Sequence, residues 1–236
     1  MKTVLITGAN RGIGRETTRQ LVALGYHVFA GVRSLEKGKS DLADLPTSPG
    51  QVEVVVLDVT DPASVAAAAQ DVATRLDHLD VLVNNAGIAA LPPLDRNSVE
   101  NLRAVFETNL FGVFTVTRAF LPLLQKSPEP RIVNVSSGLG SLAGQSDPTW
   151  EYYPFKSAYF VSKAALNAYT IWQAYELREA PFKVNAVDPG YTATEFNNFR
   201  GPGKVEDAAA VVVKYATLGN DGPTGGFFDR DGKVPW

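Results

Sequence analysis

The 236-residue sequence contains no cysteine. A disulfide framework, a thiolate nucleophile and a cysteine-ligated metal are therefore excluded. His27 and His78 are its only two histidines, too few for a histidine-rich metal site, so no metal is expected. No apolar run approaches the roughly 20 residues of a membrane-spanning helix. Lys/Arg tracts are also missing: 22 basic residues stand against 25 acidic ones, for a formal net charge of -3. That balance argues against nucleic acid or an anionic membrane as partner and for a small molecule. The first strand-like run begins within a few residues of Met1, which leaves no space for a signal peptide and makes the expected location cytoplasmic. Internal repeats, coiled-coil heptads and a separate linker are absent. With 45% hydrophobic residues to fill a core, the chain reads as one α/β domain over residues 1–236.

What is present begins at Val4. A short apolar run breaks into glycines at Gly8, Gly12 and Gly14 and then passes into a helical pattern. Glycine supplies positive φ or room for close approach where a strand turns sharply into a helix. The exposed helix N-terminus then offers unpaired N–H groups and a positive dipole end to a pyrophosphate. The Gly-x-Gly-x-x-Gly fingerprint is not met, because a reading that starts at Gly12 and Gly14 ends on Thr17. The spacing is Gly-x-x-x-Gly-x-Gly, preceded by Thr7. It resembles the short-chain dehydrogenase/reductase family, with a glycine-rich turn of some other α/β protein as the alternative. The resemblance implies cofactor contacts along Gly8, Asn10, Arg11, Gly12, Ile13 and Gly14.

The later segments alternate between strand and helix signals, as a doubly wound Rossmann sheet requires. Ile13 to Leu24 reads as a helix stopped by Gly25, and His27 to Val32 as the second strand. That strand ends beside the adenosine ribose in a Rossmann unit, where a carboxylate would accept from a free 2′-hydroxyl and an arginine would clamp a 2′-phosphate. Arg33 occupies the position, and Arg11 reaches toward it from the glycine turn, so NADP(H) is expected over NAD(H). The opposing reading is two ordinary solvated arginines, with Glu36 near enough to spoil the site. Gln51 to Val59 reads as the third strand. By the resemblance Asp58 and Val59 at its end meet the adenine, whereas local capping ahead of Pro62 is the structural alternative for Asp58.

A long alanine-rich helix from Pro62 leads to a fourth strand at Val81, which runs into Asn84, Asn85, Ala86 and Gly87, a second mark of the family. The resemblance places Asn85, Ala86 and Gly87 beside the cofactor. Ser98 to Gln125 reads as one helix with a broad apolar face of Leu102, Val105, Phe106, Leu110, Val113, Phe114 and Val116. Asn109 sits inside it, either as a satisfied core amide or, by the resemblance, as part of a proton relay to an active-site lysine. The fifth strand, from Arg131, ends in Ser136 and Ser137, and Ser137 matches the family's catalytic serine.

Two Tyr-x-x-x-Lys patterns follow, Tyr152 to Lys156 and Tyr159 to Lys163. The chemistry needs both groups one helical turn apart on one face. Pro154 breaks the first pattern, since proline inside a helix costs about 3 kcal/mol. Tyr159 and Lys163 are therefore the expected pair. A cation one turn away, together with an oxidised nicotinamide, would lower the phenol from its ordinary value of about 10 toward neutrality. Between Ser137 and Tyr159 the stretch with Trp150, Tyr152, Tyr153, Pro154 and Phe155 reads either as a pocket wall or as a surface loop. A sixth strand from Lys183 leads to Pro189, Gly190 and Thr194, which match the family's Pro-Gly-x-x-x-Thr turn against the nicotinamide, with Tyr191 and Thr192 expected near it. Glu195 to Lys204 is a brief lid, Val205 to Thr217 the last helix and Gly225 to Phe228 the seventh strand.

The whole chain most resembles the NADPH-dependent carbonyl-reductase branch of that family. The resemblance implies a parallel sheet of about seven strands flanked by helices, and hydride transfer between NADPH and a ketone or aldehyde. A non-catalytic NADP(H) sensor and a sugar-nucleotide epimerase or dehydratase are the rival classes. The partner expected is a small-molecule carbonyl or alcohol; monomer, homodimer and homotetramer remain open.

Overall fold

Seven short runs, most of them rich in β-branched residues, form one sheet: β1 (Thr3–Thr7), β2 (His27–Val32), β3 (Gln51–Val56), β4 (Val81–Asn84), β5 (Arg131–Val135), β6 (Lys183–Val187) and β7 (Phe227–Phe228). Their order is β3-β2-β1-β4-β5-β6-β7, and every neighbouring pair is parallel. The computed structural model describes residues 1–90, 93–95, 98–149 and 157–236. Around the sheet stand α1 (Gly12–Ala23), α2 (Leu35–Asp41), α3 (Pro62–Ala73), α4 (Val99–Phe106), α5 (Gly112–Leu124), α6 (Leu142–Gln145), α7 (Ser157–Glu176) and α8 (Val205–Ala216). Among the described residues no helix is long and apolar enough to cross a membrane.

Successive strand residues face opposite sides, so each central strand feeds two cores. Val4, Ile6, Val28, Ala30, Val83 and Val133 pack against Leu21 and Val22 of α1 and Val211 and Val212 of α8. On the other face the register aligns Phe29, Leu5, Leu82, Ile132 and Val184 in one row. That row packs with Val65 and Val72 of α3 and Val116 and Phe120 of α5. Each aliphatic side chain buried in this way contributes about 1.5–3 kcal/mol. Covering both faces explains why the strands read as nearly continuous apolar runs.

All strands point one way, so their carboxyl ends share one edge. The strand order reverses between β1 and β4, and a crevice opens at that switch point. The glycine turn after β1, Asn85 after β4, Ser137 after β5 and Pro189 after β6 all lie along it. A buried polar chain fixes α7 across the sheet: Asn84 Nδ2 donates to Asn134 Oδ1 at 2.9 Å, and Asn134 Nδ2 donates to Thr170 Oγ1 at 2.9 Å. Buried amide bonds of this kind favour one helix orientation, although Asn84 Oδ1 itself is buried without a partner among the described residues.

Two elements differ from their expected form. β3 ends at Val56, so Asp58 and Val59 lie in the following loop. The helix expected over residues 98–125 is divided by a π-helical turn, Glu107–Phe111, with Asn109 at its centre. Such widened turns mark places where a side chain has other bonds to satisfy, and those of Asn109 are described below.

Candidate active site

The glycine turn uses its three glycines in two ways. Gly8 and Gly12 have φ of 64° and 51°, the region that L side chains avoid. Gly14 has no such backbone need, but a Cβ there would collide with the Gly8 carbonyl and the Asn85 amide. Thr7 joins the two strand ends: its Oγ1 accepts from the N–H groups of Asn85 and Ala86, both at 3.0 Å. Helix α1 starts without a side-chain cap and without an acidic residue in its first turn, so its N–H groups point into the crevice. Ile13 is partly buried against the core on the α1 face.

Arg11 and Arg33 are exposed. Among the described residues neither side chain makes a hydrogen bond or ion pair. Asn10 turns away to Asp41, donating from Nδ2 at 2.7 Å. Glu36 lies in the first turn of α2 and is exposed. Asp58 serves its own loop: its Oδ1 accepts from the N–H and hydroxyl of Thr60 at 3.0 and 2.8 Å. Capping of α3 falls to Asp61, which accepts from the Ala63 N–H at 2.9 Å. Val59 packs against Gly112, whose added Cβ would stand 2.9 Å from the Val59 carbonyl oxygen.

Ser136 and Ser137 have opposite environments. Ser136 is buried and donates to Asn167 Oδ1 at 2.6 Å, so it holds α7. Ser137 is partly exposed, its Oγ accepts from the Leu139 N–H at 3.2 Å, and its hydroxyl faces that of Tyr159. Lys163, one turn along α7, is 3% exposed. Its Nζ lies 5.6 Å from the Tyr159 ring centre and donates to the Val135 carbonyl at 2.7 Å. Burial pushes Lys163 down to about 8, with the Asp188 carboxylate pulling the other way. Tyr159 does not follow the expected lowering. Burial holds its phenol above the ordinary value, the Ser137 hydroxyl lowers it and Asp188 raises it further. Desolvation of the charged form is the largest of these causes.

Asn109 is a satisfied amide: its Oδ1 accepts from the Ile88 N–H at 2.9 Å. Its Nδ2 donates to the Ile88 carbonyl at 2.9 Å and to Ser162 Oγ at 3.0 Å. Gly87 lies between it and Lys163, for a Cβ there would meet Asn109 Oδ1 at 3.3 Å and Lys163 Nζ at 3.7 Å. After β6, Gly190 takes a φ of 77° beside Pro189. Thr192 Oγ1 donates back to the carbonyls of Pro189 and Gly190, a shared bond of 3.2 Å to each. Thr194 crosses the crevice, where its Cγ2 is 3.4 Å from the Cβ position of Gly12. Its neighbour Glu195 reaches the same place, with Oε2 at 3.7 Å.

Asp188 and Phe196 were not singled out from the sequence, and Thr7 was named only as the residue before the glycine motif. The Phe196 ring lies 5.6 Å from that of Tyr159, presented by a short turn, Glu195–Asn197. Asp188 carries a signal, an acid at the carboxyl end of a strand, whereas Phe196 is an ordinary lid aromatic in the sequence. Trp150, Tyr152, Tyr153, Pro154, Phe155 and Lys156 lie outside the described residues.

A doubly wound sheet with a phosphate-binding turn and a serine, tyrosine and lysine at its carboxyl edge defines a nucleotide-dependent oxidoreductase. The model of the short chain dehydrogenase family matches residues 2–204. A short-chain dehydrogenase of Penicillium roqueforti is 38% identical over 92% of this chain and 89% of its own. The (-)-isopiperitenone reductase of Mentha piperita is 34% identical over 96% of both chains. The NADPH-bound carbonyl reductase from chicken fatty liver superposes with a TM-score of 0.87 at 31% identity, covering 100% of this chain and 99% of that one. The chain belongs to the short-chain dehydrogenase/reductase family.

Proposed function

We propose that the protein interconverts a ketone or aldehyde and its alcohol, with NADP(H) as cofactor and residues 1–236 acting as one dinucleotide-binding and catalytic domain. The observation that carries this reading is the placement of Ser137 against Tyr159, with Lys163 buried beneath the ring. The crevice suits the cofactor. Gly8, Gly12, Ile13 and Gly14 shape an uncapped helix start for the pyrophosphate. Arg11 and Arg33, whose side chains have no partner among the described residues, suit a 2′-phosphate. Asn85, Ala86 and Gly87 bound the crevice along β4. Pro189, Gly190, Thr192 and Thr194 bound it along β6. Asn10, Asp58 and Val59 stand at its rim, and in this structure Asn10 and Asp58 are engaged by neighbours. The bound nicotinamide supplies the hydride.

Ser137 donates its hydroxyl hydrogen to the substrate oxygen and orients it. Tyr159 then passes its proton to that oxygen, and solvent restores the proton. Burial keeps the phenol protonated until transfer but makes it a weaker acid, so the transfer relies on stabilisation of the phenolate that forms. The Lys163 ammonium faces the phenolate left behind, and its bond to Val135 keeps it in place. Asn109 holds the Ile88 backbone beside Lys163 through the π-helical turn.

The test is NADPH oxidation against a panel of ketones, aldehydes and diketones. Tyr159→Phe should retain cofactor binding and lose activity by about 10²–10⁴-fold, the range of general acid catalysis; a fully active variant overturns the mechanism. Exposed Phe111 at the end of the π-helical turn, Phe114 of α5, and Trp172 and Tyr175 of α7 favour a homodimer, which sedimentation would test.

A further inference from the structure

The carboxyl end of β6 carries an acid to which the reaction above gives no task. The Asp188 N–H donates to the Phe228 carbonyl at 2.7 Å, which sets the residue between β6 and β7. One carboxylate oxygen, Oδ1, accepts from the Gly190 N–H at 2.9 Å and closes the Pro189–Gly190 turn. The other oxygen, Oδ2, lies against Gly138, the residue that follows Ser137. A Cβ at Gly138 would stand 2.7 Å from Asp188 Oδ2, closer than real side-chain contacts allow. Glycine at 138 is thus what lets the acid come up against the serine loop. The charged and titratable groups facing Asp188 are Lys163 and Tyr159 from α7 and Asp229 from the segment after β7.

We propose that Asp188 is a positioning residue, which ties the Ser137 loop to the Gly190 turn and holds a negative charge against Lys163 and Tyr159. This rests on Ser137, Tyr159 and Lys163 being the reacting groups. Two loops that come from different strands, and that would flank the reacting centre, meet at one carboxylate. Burial, with Asp229, raises the carboxyl above its ordinary value, while Gly190, Gly138 and Lys163 pull it back toward the charged form. The charge has the same sign of effect on both neighbours. It raises the proton affinity of Lys163 and of Tyr159, so the lysine stays cationic and the phenol stays an acid.

The experiment compares wild type with Asp188→Asn in the full chain, by two readouts. The first is the pH profile of kcat for reduction of a ketone by NADPH. Its alkaline fall should move to lower pH by about one unit, the scale of a lost neighbouring charge. The second is lysine-selective NMR of the cofactor-free protein, with the Lys163 signal assigned through Lys163→Arg. Its midpoint should also fall below that of wild type, and Asp188→Glu should move both readouts back. If Asp188→Asn does not fold, the isosteric pair Asp188→Glu and Asp188→Gln carries the same comparison. Coincident profiles and coincident lysine titrations between charged and neutral variants overturn the inference. A wild type that reduces no carbonyl, or a fully active Tyr159→Phe, instead overturns the catalytic reading. The lysine titration still decides the electrostatic role of Asp188 in that case.

Discussion

The side-chain amide of Asn85 fills the space that a Cβ at Gly14 would enter. Its Nδ2 is held there by the carbonyls of Thr7 and Gly8, at 2.8 and 3.1 Å. The end of β4 therefore braces the glycine turn from below, and the helix that follows the turn packs directly on that brace. Phosphate turn and neighbouring strand form one mechanical unit.

Gly14→Ala should break this unit even though alanine is the better helix former. Overpacking of this kind costs about 1–3 kcal/mol, which lowers Tm by roughly 2–12 °C for a chain of this size. The Asn85 amide must move, and the Gly8 carbonyl with it, so NADPH affinity should drop by about tenfold or more. Calorimetry and fluorescence titration measure the two effects. An unchanged or higher Tm would show that the space is not closed.

The sheet was legible because its information is local: glycine turn, apolar runs and helical periodicities alternate along the chain, and parallel crossovers leave few ways to assemble them. The pairing of Tyr159 with Lys163 was legible for the same reason, being one helical turn. What escaped depends on partners distant in sequence. The π-helical turn exists because Asn109 bonds to Ile88 and Ser162, and no propensity within residues 98–125 encodes that. Asp188 matters because it meets Gly138, fifty residues earlier and on another strand. The sign of the Tyr159 shift depends on how fully its surroundings exclude water, a property of the packed site. Sequence spacing displayed the cation and left the burial out.

Arg33→Asp should reverse the cofactor preference. The arginine stands exposed and without a partner among the described residues, so its removal disturbs no native contact. A charge-assisted bond to phosphate contributes about 1.5–3 kcal/mol, and kcat/KM with NADPH should fall by roughly 10–100-fold. The new carboxylate should improve use of NADH. The loss should shrink as salt is added, because an exposed charge is screened. Equal ratios for wild type and variant would remove Arg33 from the 2′-phosphate site.

Lys163 should give the cofactor-free protein a characteristic alkaline stability. Its folded value of about 8 lies below the ordinary 10.5, so between these values the unfolded chain binds more protons. Stability then rises with pH across that window, and the whole penalty applies below it. The difference amounts to about 3 kcal/mol. Lys163→Met lacks this titration. The stability of wild type relative to Lys163→Met should therefore increase from pH 8 toward pH 10, as read by urea unfolding at each pH. A flat difference would mean that the buried ammonium is not penalised.

Glu195→Gln should tighten cofactor binding. The Glu195 carboxylate reaches to 3.7 Å from the Cβ position of Gly12, at the start of the helix whose N–H groups face the crevice. A pyrophosphate that settles on that helix start meets a like charge, and two unit charges about 4 Å apart in water repel by about 1 kcal/mol. Glutamine keeps the shape of the side chain and removes the repulsion. The Kd for NADPH should fall by about threefold to tenfold at low ionic strength, and the gain should fade in high salt. Because Thr194 approaches Gly12 from the same turn, Thr194→Ser serves as the control that leaves the charge in place, and it should show no salt-dependent gain. A glutamine variant with wild-type affinity at low salt would mean that the carboxylate turns away before the cofactor enters.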